Sequence, residues 1–221
     1  MQLFIDTANV NEIRTAASWG LLDGVTTNPT HIASSGRPFE EVLNEIFSLV
    51  DGPISVETVS LESEAIVKEG RAIARFHRNA VVKVPIMIEG LKAVKQLASE
   101  GIKTNVTLCF SPLQAYLAAK AGATYISPFL HRKELAGEDG VSLIGEIRDI
   151  YDRYGYQTKI LAASIRTARE VLECLRMGAD VATMPFDMLE SLYKHSMTDA
   201  GLAMFLNDWK KVPPTKLFAN L

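Results

Sequence analysis

Lys83 stands in an otherwise apolar segment, Ala80-Val81-Val82-Lys83-Val84-Pro85. On its own it fits an edge strand with the lysine turned to water. In a buried strand the ammonium loses its hydration unless another group compensates it. Desolvation then favours the neutral amine, which attacks carbonyl carbon, so Schiff-base formation is the chemistry to expect there. Other apolar segments also end in polar residues: Asp6, Asn28, Glu57, Asn105, Thr107, Ser127 and Ser164. Asp6 and Glu57 are the two carboxylates suited to moving protons near such an amine, because on separate strands their environments can set their proton affinities apart. Ser164, Arg166 and the start of the following helix are placed to hold a phosphate, with Arg132 closing the clamp through guanidinium contacts. The four histidines, His31, His77, His131 and His195, show no paired ligand spacing, so the expectation is no metal and no cofactor.

These residues need a scaffold that gathers many strand ends. Apolar runs predict strands at 2–6, 24–28, 54–59, 80–85, 103–108, 124–129, 159–165 and 181–185, alternating with amphipathic stretches that predict helices. Asn9 or Asn11 can cap the first helix, and Ser111-Pro112 opens another as cap and first-turn proline. The residue before Pro29 is pushed out of helical geometry, so a loop is expected after Asn28. The polar stretch 131–140 reads as the longest loop beside the strand ends. A helix over 186–195 and a last helix over 199–211 complete the chain.

Eight strand–helix units argue for a parallel sheet, and eight is the number that closes a (β/α)₈ TIM barrel, here an α/β fold with an extra C-terminal helix. An open doubly wound sheet is the alternative, but no Gly-x-Gly-x-x-Gly turn follows the first strand. The expected organisation is one domain over residues 1–221, with 199–221 as C-terminal helix and tail. Strand side chains alternate faces. Thr26 with Asn28, Asn105 with Thr107, Ser127 with Phe129, and Ser164 with Arg166 therefore share faces, while Val25, Val106, Leu108, Ile126 and Ile165 point the other way. The polar set fits the barrel interior near its C-terminal mouth, where barrel active sites lie.

With 221 residues and 48% hydrophobic composition the chain can bury a large core. A formal net charge of −3 and no run of Lys or Arg give no field for nucleic acid or an anionic membrane. Cys109 and Cys174 form neither a disulfide framework nor a zinc motif, so reduced thiols are expected. An acid as early as Asp6 argues against a signal peptide, and no apolar run reaches membrane-spanning length, which reads as a cytoplasmic protein.

Six segments carry a family resemblance: Phe4-Ile5-Asp6-Thr7-Ala8-Asn9, Gly24-Val25-Thr26-Thr27-Asn28-Pro29-Thr30, Val82-Lys83-Val84-Pro85, Thr104-Asn105-Val106-Thr107-Leu108, Ser127-Pro128-Phe129 and Ala163-Ser164-Ile165-Arg166. In order and over nearly the whole chain, they resemble the transaldolases, in particular the short subfamily shared with fructose-6-phosphate aldolases. The resemblance implies a Schiff base on Lys83, proton transfer by Asp6, and a water organised by Glu57 and Thr107. It further implies that Asn28, Asn105 and Ser127 hold a dihydroxyacetone unit and that Arg132, Ser164 and Arg166 hold the phosphate of a sugar-phosphate substrate in the pentose phosphate pathway. Phe129, with Glu57, is the feature that separates transfer of that unit from its release. Leu202, Phe205, Leu206 and Trp209 on the last helix and Leu217-Phe218 in the tail are apolar, and the resemblance implies a ring-shaped homo-oligomer, a decamer, in which this helix reaches a neighbour. The chain departs from the family's usual pattern at His31, Ser34, Met87 and His131. Of these, His131 is expected to matter most, by narrowing the phosphate end or turning Arg132.

Overall fold

The computed structural model describes residues 1–213, so Leu217 and Phe218 lie outside the described residues. Eight parallel strands close a barrel in sequence order: β1 Gln2–Asp6, β2 Gly24–Thr26, β3 Ile54–Glu57, β4 Ala80–Pro85, β5 Thr104–Cys109, β6 Tyr125–Pro128, β7 Lys159–Ala162 and β8 Val181–Met184. β1 pairs with β8 as well as with β2, which closes the ring. Around it run α1 Val10–Ser18, α2 Pro29–Ser35, α3 Phe39–Leu49, α4 Ser63–Phe76, α5 Ile88–Ser99, α6 Pro112–Ala121, α7 Leu130–Leu135, α8 Ser142–Tyr154, α9 Ala168–Arg176, α10 Phe186–Ser191 and α11 Ser196–Trp209.

Strand alternation sorts the side chains as expected. Val25, Val106, Ile126 and Ile165 are buried in the cluster between strands and helices. Phe4, Val81, Tyr125, Leu161 and Val181 fill the barrel axis, with Phe129 packed against them. Gly24 makes room for this plug, since a Cβ there would lie 2.6 Å from the Phe4 ring. Above the plug the same inward faces turn polar, with Thr26, Ser55, Lys83, Asn105, Ser127 and Thr183 all buried. The two cysteines are buried and unbridged, and burial pushes both thiols up to about 12, which keeps them protonated and unreactive.

Caps set the helix starts. Asn9, rather than Asn11, caps α1 by accepting from the Asn11 N–H at 3.0 Å. Ser111 caps α6 with Pro112 in its first turn, and Gly122 ends that helix at φ 93°. Thr167 and Glu170 form a reciprocal capping box on α9.

The chain departs from the sequence expectation at four places. No loop follows Asn28: α2 starts at Pro29, because a proline is at home in a first turn and the extended Asn28 (φ −153°, ψ 166°) caps it. The stretch 131–140 is not all loop, since α7 winds through its first half, anchored by the fully buried Leu130. Leu108 does not simply face the helices. Its backbone is left-handed (φ 60°) where the β5–β6 register shifts, and its side chain joins the polar mouth. At the C-terminal end, α10 stops at Ser191, short of the expected 195, and α11 begins at Ser196, earlier than expected, capped by His195, whose Nδ1 accepts from the Met197 N–H at 3.2 Å. Among the described residues no helix is long and apolar enough to cross a membrane.

Candidate active site

A cavity of about 380 Å³ opens at the C-terminal ends of the strands. It is lined by Asp6, Thr26, Asn28, Glu57, Lys83, Thr107, Ser127, Phe129, Arg132, Ser164 and Arg166. Every residue expected from the sequence to act on or bind the substrate is thus on its wall except Asn105, which lies one layer down. There its amide donates to Ser55 Oγ at 3.1 Å and accepts from Ser127 Oγ at 2.8 Å, so Asn105 orients Ser127 from beneath.

Lys83 is only 5% exposed, and two groups meet its charge. Its Nζ lies 3.0 Å from Glu57 Oε2 and donates to the Thr27 carbonyl at 3.1 Å. Register explains the pairing, because Glu57 and Lys83 are direct neighbours on β3 and β4. The edge-strand alternative is removed: β4 is paired on both sides, and Lys83 points inward. Thr107 Oγ1 is buried without a partner, one strand further on. A buried orphan hydroxyl at a cavity wall calls for a ligand or a water to satisfy it.

Asp6 occupies the opposite side. Thr26 donates to its Oδ1 at 2.7 Å, and Thr26 in turn shares a 2.7 Å hydrogen bond with Thr183. The ring of His31 places Nε2 3.5 Å from Asp6 Oδ2. Burial alone would raise the Asp6 pKa, but His31, the charge of Lys83 and the Thr26 hydroxyl outweigh it and hold the carboxyl below the ordinary range. Asp6 is therefore ionised at neutral pH, ready to take a proton.

The far end of the cavity is cationic. The Arg132 guanidinium carbon lies 5.2 Å above the Phe129 ring, which itself meets Phe110 edge-on at 5.9 Å between centroids. Arg166 is exposed and donates one guanidinium bond to its own neighbour, the Ile165 carbonyl, at 3.0 Å. Ser164 adopts a left-handed backbone (φ 59°) between β7 and α9, which ends the strand and turns the segment over the cavity. Asn28 uses its Oδ1 to accept from the His31 N–H at 3.0 Å, leaving its amide nitrogen for a ligand.

The sequence singled out His131 as the departure that matters, but its ring is not on the cavity wall and turns instead to Glu170, with Nδ1 3.4 Å from Oε1. His31 is the departure that reaches the site. Thr183 was not singled out, although a threonine on an apolar strand with inward parity is the same signal that marked Thr26. His31 carried no such signal, because its contact depends on a helix where a loop was expected.

A closed eight-stranded barrel holding a buried amine between two carboxylates at its C-terminal mouth defines a class of enzymes that act on carbonyl compounds through a lysine. A family model described as Transaldolase/Fructose-6-phosphate aldolase matches residues 3–215. The chain belongs to this family. It is 58% identical over 213 residues to a "Probable transaldolase" of Hydrogenobaculum sp. (strain Y04AAS1), covering 96% of this chain and 98% of the relative. Proteins of the same name from Aquifex aeolicus (57% over 213 residues) and Caldicellulosiruptor saccharolyticus (56% over 214 residues) cover 96% of this chain and 98% and 99% of their own lengths.

Proposed function

We propose that this protein is a transaldolase of the pentose phosphate pathway, acting on sugar phosphates without a cofactor. The observation that carries this reading is the Lys83 amine, 5% exposed and 3.0 Å from Glu57, on the floor of a cavity whose other end carries Arg132 and Arg166. Glu57 takes the ammonium proton, directly or through a water shared with the orphan hydroxyl of Thr107. The freed amine attacks the ketone of a ketose phosphate such as sedoheptulose 7-phosphate or fructose 6-phosphate, and loss of water leaves the iminium. Asp6 removes the proton of the C4 hydroxyl, the C3–C4 bond breaks, and an aldose phosphate departs. The three-carbon enamine stays on Lys83, where Asn28 and Ser127 hold it, with Asn105 supporting Ser127. A second aldose phosphate then accepts the unit, with Asp6 returning the proton to its aldehyde oxygen. Water adds to the new iminium carbon, with Glu57 moving the protons, so that the C–N bond breaks and releases the ketose phosphate and the Lys83 amine. Ser164 joins Arg132 and Arg166 in holding the phosphates. One barrel domain suffices for this cycle, and the proposed compartment is the cytoplasm.

Phe129 supports transfer over release. Protonation of the enamine followed by hydrolysis would free dihydroxyacetone, and a phenyl ring has no hydroxyl to polarise a water at the enamine carbon. The test is an enzymatic assay for dihydroxyacetone made from fructose 6-phosphate, with and without erythrose 4-phosphate. Little release is expected from the natural protein, and Phe129→Tyr should raise it while lowering transfer. A positioned proton donor contributes typically about 10²–10⁴-fold, which bounds the gain. Abundant release by the natural protein would make it an aldolase and overturn the transferase assignment.

We also propose a homo-oligomer, a decameric ring, built through α11. None of its residues is buried, and Leu202, Met204, Phe205 and Leu206 are each more than half exposed. Such an apolar run facing water is expected to be covered by another copy.

A further inference from the structure

Between α7 and α9, behind the cavity wall, three acceptor side chains converge: His131, Glu134 and Glu170, with one ligating atom of each within 4.8 Å of the others. His131 and Glu134 are one helical turn apart, so they share a face of α7. Glu170 is 3% exposed and comes from the first turn of α9, where its Oε2 is consumed by the Arg166 and Thr167 N–H groups at 2.6 and 2.7 Å. Its Oε1 points the other way, buried and without a hydrogen-bond partner. The facing Nδ1 of His131 is also buried and unpartnered. The two atoms are 3.4 Å apart, but their orientation does not make a hydrogen bond.

From this arrangement we propose that His131, Glu134 and Glu170 form a site for a divalent cation of the zinc class, outside the catalytic cavity. Two carboxylates and an imidazole turned to one point favour positive charge among them: a proton on the imidazole can serve one carboxylate, whereas a cation serves all three ligating atoms. Imidazole with two carboxylates is a ligand set that zinc accepts, three protein ligands plus water being common for it. Bonds of about 2.1 Å at tetrahedral angles place neighbouring ligand atoms about 3.4 Å apart, which matches the His131–Glu170 separation. Glu134 is exposed and free to swing in from the remaining distance. Arg132, Lys133 and Arg166 lie nearby in sequence, and Lys133 is paired with Glu138. An ion at this point would tie α7, which carries Arg132, to α9, which starts just beyond Arg166, and so set the spacing of the two arginines. Sequence spacing among histidines alone could not reveal it, because the partners are carboxylates and one comes from another helix.

The test begins with the full-length protein stripped by a chelator and titrated calorimetrically with Zn²⁺. One ion per chain is expected, with a rise in Tm. His131→Ala, Glu134→Gln and Glu170→Gln should each weaken the affinity by at least about tenfold. Glutamine at 170 still completes a capping box, so that variant keeps the start of α9. As an independent readout, Co²⁺ added to the unmodified protein should give the intense visible bands of a four- or five-coordinate site. A stripped protein that takes up no Zn²⁺, or variants that bind as tightly as the parent, would overturn the proposal. So would a weak, six-coordinate cobalt spectrum. A cluster that holds only a proton would show itself as a Tm that follows pH but not Zn²⁺, and that outcome also overturns it.

Discussion

Asp6 and His31 belong to different elements, the end of β1 and the first turn of α2, and their contact at 3.5 Å shapes the proton chemistry of the site. Burial raises the Asp6 pKa, and His31, Lys83 and Thr26 pull it down to a net lowering. A carboxylate whose folded pKa is depressed contributes stability above its unfolded value, about 3.9, and loses it as pH falls through the folded value. Replacing His31→Leu removes the largest of the lowering contributions and leaves burial in place. The acidic limb of kcat/KM should then move to higher pH, and acid unfolding should begin earlier; a pH–rate profile that keeps its acidic limb would contradict this role. At the cationic end proposed to hold phosphate, Arg166→Ala should weaken phosphorylated acceptors by about 1.5–3 kcal/mol, the range for hydrogen bonds to charged groups, and barely affect unphosphorylated glyceraldehyde. Comparing kcat/KM for the two acceptors reads this directly, and equal losses would mean that Arg166 is structural. Lys83 was legible in the sequence because a charge among valines is conspicuous. His31 was not, because nothing local shows that its ring crosses to a carboxylate 25 positions earlier.

Elements were legible where period and punctuation agreed. Strand parity placed Thr26, Thr107 and Ser127 inward and Val25, Val106 and Ile126 toward the helices, as the barrel has them. Parity failed at Leu108, because a left-handed residue resets the direction of the side chain and no glycine announces it. It also said too little about Asn105, whose inward face was correct but whose depth depends on barrel stagger. The short helices α2 and α7 were missed because each spans only two turns or less, with few apolar positions to show a period. The capping box on α9 bears on the site from behind, since Thr167 Oγ1 accepts from the Glu170 N–H at 3.2 Å and Glu170 returns to the Thr167 and Arg166 N–H groups. Thr167→Ala should therefore destabilise the protein by about 1 kcal/mol. A lower urea midpoint with an unchanged slope would record it, and an unchanged midpoint would mean the cap contributes nothing.

At the scale of the whole molecule, the barrel leaves α11 outside its own core. Among the described residues, Leu202, Met204, Phe205 and Leu206 of this helix are each more than half exposed, and none of the helix's residues is buried. If copies assemble through this face, sedimentation of the natural protein should give a single oligomer, and Phe205→Asp should dissociate it while leaving the barrel's circular dichroism unchanged. A natural protein that sediments as a monomer would remove the assembly proposal without touching the site.

The central claim is that Lys83 forms the covalent bond to substrate. It is tested most directly by adding borohydride to the protein in the presence of fructose 6-phosphate and weighing the product, followed by peptide mapping. The expected result is one reduced dihydroxyacetone or fructose phosphate adduct per chain, located on Lys83 and lost in Lys83→Met, whose side chain keeps the apolar stem while circular dichroism checks the fold with Glu57 left unpaired. No added mass on the natural protein, or an adduct that persists on Lys83→Met, would contradict the account.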